Sequence, residues 1–230
     1  MLARRATALL LPLLLLASCS GAPAPGAASA TPDPSRPLPS PLPDVVARVN
    51  GQEIHGWQIM PLAKATLDKV SVAERDTRKP QAVREALDAF VTRELLVQEA
   101  LARGIHADDR DVEWSYDQLR REHPSDAAWA EFLAGQGMDA QSFRAELRIQ
   151  RTIAALAAQE VQSFKVPESE ARAAYQTNPK GFGPPGAAEP PAFESVRAEV
   201  EQSIRQYRAD EIQAALVARL RARAKIELFL

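Results

Sequence analysis

The sequence predicts a mainly α-helical chain with a small β-hairpin at the start of its folded part, and three observations carry that expectation. From Gln81 to Gly104, Val83, Leu87, Phe90, Val91 and Leu95 recur at three- and four-residue spacings, with Leu96, Val97, Ala100 and Leu101 on a second face. A helix apolar on two faces has to be wrapped by others. Beyond it the chain repeats short amphipathic stretches entered through polar caps, and ahead of it Asn50-Gly51 joins two short β-prone runs.

The first residues stand apart from the fold. Arg4 and Arg5 precede an apolar run from Ala8 to Leu16, followed by Ala17, Ser18 and Cys19. A charged section and an apolar section too short to span a bilayer make an export signal, residues 1–18. Leu16-Ala17-Ser18-Cys19 resembles the bacterial lipobox, which implies a lipid-modified Cys19 as the first mature residue; the alternative is an ordinary secretory signal. Cys19 is the only cysteine, so disulfide chemistry within the chain is excluded. Ser20 replaces the aspartate that retains many such lipoproteins at the inner membrane, so the resemblance points to the outer membrane.

Residues 19–43 are rich in Pro, Ala, Gly and Ser and lack the apolar bulk to offset ordering entropy. They read as a disordered tether, reaching several tens of ångströms at about 3 Å per extended residue. Removing residues 1–18 takes two arginines and no acid, which leaves 26 basic against 30 acidic side chains, a balance of −4. That balance does not suggest a nucleic-acid surface.

Element by element, Val45 to Val49, Asn50-Gly51 and Gln52 to Ile54 predict the hairpin, since both turn residues tolerate positive φ. Trp57 to about Val70 predicts a helix with Pro61 in its first turn or bending it. Ser71 to Pro80 reads as a loop, and the central helix follows, ending at Gly104. Asp108 caps a helix through Val112, Trp114, Tyr116 and Leu119. His123-Pro124 stops it, Ser125 or Asp126 starts the next, carrying Trp129, Phe132 and Leu133, and Gly135 and Gly137 end that one. Asp139 caps a long helix in which Met138 and Phe143 form a hydrophobic staple. Pro167 opens a helix that reaches Tyr175 and ends at Asn178-Pro179. Residues 180–192 hold three glycines and four prolines and read as a linker. Phe193 to Arg223 predicts one long helix, and Lys225 to Leu230 a strand able to pair with the hairpin.

In this order the pieces resemble the N-terminal chaperone domain of the SurA, PpiD and PrsA group. The carrying residues are Val45-x-Ala47-x-Val49-Asn50-Gly51 with Ile54, Leu87 to Gly104 with Ile105, Gly137-Met138-Asp139 before Phe143-Arg144, Val166-Pro167-x-x-Glu170, Phe193-x-x-Val196-Arg197, and Leu220-Arg221 through Glu227. The resemblance implies a helical chaperone domain over residues 44–179, with residues 193–230 packing back to complete it. Its implied partners are unfolded or nascent exported proteins, with the membrane reached through the lipid anchor. In the group a parvulin-type isomerase domain of about a hundred residues sits before the last helix. Here ten residues separate Phe182 from Phe193, so no such domain fits there.

No catalytic, metal or cofactor site is predicted. The acids Asp108, Asp109, Asp111 and Glu113 are explained by a helix start, the histidines have no HExxH spacing, and there is no Gly-rich phosphate loop. The working site of such a chaperone is an adaptable apolar surface, for which Trp57, Met60, Trp129, Phe132, Met138 and Phe143 are the candidates. The same side chains are what a small helical domain needs in its core. Two other functions stay open, a prolyl isomerase acting through an unrecognised site and a dedicated scaffold for one envelope or secretion complex; oligomeric state and client identity are also open.

Overall fold

A computed structural model describes residues 37–183 and 189–230. The signal segment and Cys19 lie outside the described residues. Strand β1 (Val45–Val49) and β2 (Gln52–His55) form the predicted hairpin, paired Val49 to Gln52 and Ala47 to Ile54, with Asn50 and Gly51 at φ 50° and 93°. Positive φ at both turn residues matches the right-handed twist of the strands. The far end of the chain supplies β3 (Ile226–Leu228), antiparallel to β1, so the sheet order is β2-β1-β3.

The helices are α1 (Gly56–Leu67), α2 (Arg75–Ala102), α3 (Asp109–Arg121), α4 (Asp126–Gly135), α5 (Ala140–Ser163), α6 (Glu168–Thr177), α7 (Phe193–Tyr207) and α8 (Ala209–Arg223). Pro61 occupies the sixth position of α1, on its exposed side. The caps read from sequence are in place. Asp108 accepts from Arg110 N–H, Ser125 from Ala128 N–H and Asp139 from Ser142 N–H, at 2.7 to 3.2 Å. Gly104 and Gly137 both have positive φ. After each, the next amide reaches back to a helix carbonyl, Ile105 to Ala100 at 2.8 Å and Met138 to Leu133 at 3.0 Å, the Schellman closure.

Three expectations need correction. The segment before the central helix is not a loop to Pro80: after a short turn at Val72–Glu74, α2 begins at Arg75 and contains Pro80. The missing N–H of Pro80 leaves only the Asp76 carbonyl without a helical donor, and Asp76 is exposed to water, so the first turns absorb the proline. The predicted long C-terminal helix is two helices, broken at Arg208, which leaves helical geometry at φ −94°, ψ 9°. Its guanidinium bonds Glu170 at 3.2 Å and Glu211 at 3.0 Å and lies 5.0 Å over the Phe164 ring. Tyr207 is exposed at that corner. The last residues of the stretch read as a tether to residue 43 are packed: Leu38 and Leu42 lean against the main core, and Gly56 N–H donates to the Asp44 carbonyl at 2.8 Å. Two leucines four residues apart outweigh the proline content there.

Packing follows three apolar clusters. The largest joins the hairpin, α1 and α2 with Leu156 of α5 and Leu216 and Leu220 of α8. A second gathers Val112, Tyr116, Trp129, Leu133, Phe143 and Leu147 from α3, α4 and the start of α5. A third joins Ala171 of α6 to Phe193, Val200 and Ile204 of α7. Helix α5, about 36 Å long at 1.5 Å per residue, contributes to the first two clusters and also packs on α7.

Candidate functional site

The six candidate side chains divide between two places. Trp57 and Met60 lie on α1, where Gly56, Ile59 and Ala63 face the core. One turn on from Trp57 the same outer face carries Pro61, then Lys64. Trp57 is 70% exposed and stacks on His55 with ring centroids 6.2 Å apart, while Met60 is half-buried against the main cluster.

The other four meet in the second cluster. Trp129 and Phe143 are buried, and Phe132 and Met138 are half-buried at its edge. Trp129 stacks on Phe132 at 5.2 Å and meets Phe143 and Tyr116 edge-on at 5.5 and 5.3 Å, arrangements that suit the ring quadrupoles. Its indole N–H donates to the Tyr116 Oη at 2.9 Å, so its one polar group is satisfied. The Arg144 guanidinium lies over the Tyr116 ring at 3.6 Å and is held there by Glu113 at 2.9 Å. His123 rests on Phe132 at 4.7 Å.

Sequence reasoning placed Trp114 on α3 without telling its face, and it is 60% exposed. Val112 and Tyr116 take the inward face of α3, and Trp114, between them in sequence, points away. Sequence reasoning missed Thr152, a buried polar residue whose Oγ1 accepts from Ala107 N–H at 3.0 Å and so fixes the entry to α3.

The electrostatics are those of a scaffold. Glu160 is pushed up by burial, but hydrogen bonds from Arg219 and Arg103 outweigh this and hold its carboxyl below the usual range. The Asp139 carboxyl is also lowered, chiefly by the Ser142 backbone N–H it caps. Both shifts preserve charge instead of poising a group for proton transfer. Asp109 and Glu113, in the acidic start of α3, are engaged by Arg148 and Arg144. Among the described residues no three His, Cys, Asp or Glu side chains group as a metal site requires, and no helix is long and apolar enough to cross a membrane. A cleft between α2 and α8 of about 220 Å³, lined by Asn50, Leu95, Gln98, Glu99, Ala102, Leu220 and Arg223, is small for a ligand pocket. The candidate side chains thus divide into an exposed Trp57 on α1 and a packed aromatic cluster whose edge is formed by Phe132 and Met138.

The family model described as the SurA-like N-terminal domain matches residues 35–157. Among solved structures, one is from a study titled as showing that the virulence factor PEB4 and the periplasmic protein Cj1289 of Campylobacter jejuni are two structurally related SurA-like chaperones. It is similar over 81% of this chain and 99% of that chain, with a TM-score of 0.48 and 12% identity. No curated protein matches the chain.

Proposed function

Because the chain belongs to the family of SurA-like N-terminal domains, we propose that it is an envelope chaperone that holds exported and outer-membrane proteins, or assists their folding, without ATP. The observation that carries this reading is the family match, which spans the hairpin, α1 to α4 and most of α5. In this reading the working groups are apolar surfaces: Trp57 on the outer face of α1 with Met60 half-buried beside it, and Phe132 and Met138 at the edge of the aromatic cluster, with Trp129 and Phe143 behind them. Soft, polarisable side chains of this kind accept many partner shapes.

Cys19 carries the lipid, and the proline-rich residues after it hold the domain off the membrane, outer rather than inner; the lipobox-like Leu16 to Cys19 and the following Ser20 support this. Only residues 178–192 separate α6 from α7, too few for a domain of about a hundred residues, so the work proposed is holding and not parvulin-type catalysis.

The test is suppression of aggregation by the soluble protein from Pro37 onward. Several unrelated unfolded envelope proteins serve as clients, with an inert protein as control. Protection of many clients at near-stoichiometric amounts is the expected result. Protection no better than the control would sink the general-chaperone reading.

A further inference from the structure

Helix α4 differs from every other helix in how it is held. Among the described residues the close helix packing joins α1 to α2, α2 to α5 and α8, α3 to α5, and α6 to α7, whereas the backbone of α4 stands off from the other helices and large side chains fill the gap. It is bounded by His123-Pro124 on one side and by Gly137, at φ +67°, on the other. Its inward residues Trp129 and Leu133, with Phe132 at the edge, cover Tyr116, Phe143 and Leu147. One hydrogen bond, from the Trp129 indole to Tyr116, latches it, and an ion pair between Asp126 and Arg120 closes its outer end.

We propose that α4 is a displaceable cover and that the aromatic surface beneath it binds a client segment of the same chemistry as α4. The occupant is specified by what sits there now, Asp126-x-x-Trp129-x-x-Phe132-Leu133. It is a short amphipathic helical stretch with a large aromatic residue, an aromatic-aliphatic pair three and four residues on, and an acid three residues ahead to meet Arg120. Edge-on ring contacts tolerate exchange of one aromatic residue for another, so the pattern is a class and not a single sequence. Because the occupant competes with α4, apparent affinity is reduced by the fraction of molecules in which the cover is open. Reclosure of α4 then returns the client without an energy source, which deepens the holding role proposed above and rests on it, with Trp129 and Phe132 serving as the cover and Tyr116, Phe143 and Leu147 as the surface the client meets.

Hydrogen exchange on the full chain tests this, alone and with a labelled synthetic peptide copying residues 125–138. A control peptide carries serine in place of Trp129, Phe132 and Leu133. The amides of α4 should exchange faster than those of α3 and the first half of α5. The peptide should speed exchange in α4 further while slowing it around Tyr116 and Phe143, and the control peptide should do neither. Tyr116→Phe removes the oxygen that accepts from Trp129 in the cover and from the matching Trp of the peptide alike; it should speed exchange of the α4 amides about fivefold, the effect of one net hydrogen bond, and leave apparent peptide affinity unchanged. Equal exchange across α3, α4 and α5, or peptide bound with α4 still protected, overturns the cover; if aggregation is still suppressed, the chaperone reading survives that loss. A cover that opens and takes the peptide while no client protein is protected supports the site and removes the chaperone reading. Dimers formed by exchange of α4 between copies, with no peptide bound, would overturn the client assignment.

Discussion

Asn50 shows how much one side chain decides. It takes the left-handed conformation of the hairpin turn, its Oδ1 accepts from Lys225 N–H at 2.8 Å, and its Nδ2 donates to Gln98 of α2, also at 2.8 Å. Turn, third strand and central helix meet at that amide. Asn50→Ala forfeits both bonds and places a Cβ in a left-handed turn without the local hydrogen bonding that excuses asparagine, so we expect a loss of about 2–3 kcal/mol in denaturant unfolding with an unchanged slope. A loss below about 0.5 kcal/mol, the usual range for a surface change, would mean the junction is incidental. Trp57 gives the opposite expectation. Being mostly exposed, Trp57→Ala should leave unfolding within about 0.5 kcal/mol of the parent while weakening client protection. Phe143→Ala, in the buried cluster, should cost about 3–5 kcal/mol. The hairpin part of Asn50's role is visible in sequence, because Asn-Gly is a local signal. Its bonds to Lys225 and Gln98 are not, because they join residues distant along the chain.

At the scale of elements, local chemistry was legible and competition between elements was not. The caps at Asp108, Ser125 and Asp139 and the stops at Gly104 and Gly137 depend on a few adjacent residues, and the structure has them where the sequence places them. The break at Arg208 depends on Glu170 and Phe164 of other segments, so periodicity alone runs α7 and α8 together. Among the six candidate residues, spacing marks all as apolar without telling exposed Trp57 from buried Trp129, since that follows from which helix covers which. The union of α2, α5 and α8 is likewise long-range. Glu160 on α5 takes Arg103, at the C-terminal cap of α2, at 2.8 Å and Arg219 of α8 at 2.5 Å, and Glu99 of α2 takes Arg223 of α8. With its folded pKa below the unfolded one, Glu160 contributes stability that is present above the ordinary carboxylate range and lost as pH falls through the folded value. Glu160→Gln should therefore be less stable than the parent at neutral pH, and the difference should shrink on acidification; a constant difference from neutral pH to below the carboxylate range would remove the ion pairs as its cause. Added salt should narrow the neutral-pH gap only in part, because the carboxylate is largely shielded.

For the whole molecule, the domain recognised by family likeness is smaller than the unit that folds. The match ends at residue 157, yet the main core includes Leu216 and Leu220, and β1 has β3 as its second neighbour in the sheet. Arg221 adds a clamp across that boundary, reaching the Asp88 carboxylate at 2.7 Å and the Thr92 hydroxyl at 2.6 Å. Deleting residues 193–230 would uncover the faces of α2 and α5 that α8 covers and leave β1 with one open edge, a template for pairing with other chains. Truncating either of two buried leucines costs about 2–5 kcal/mol, comparable with the whole stability of a small domain, so losing both together with a strand is more than residues 37–183 can sustain. That fragment should show helical circular dichroism without a cooperative thermal transition and should aggregate. Supplying residues 193–230 as a separate peptide should restore the transition, because the covering segment makes contacts that need no covalent link. A fragment that melts cooperatively by itself would show that the C-terminal segment merely rests on a self-sufficient domain, and the clamp at Arg221 would then be decoration on a fold already complete.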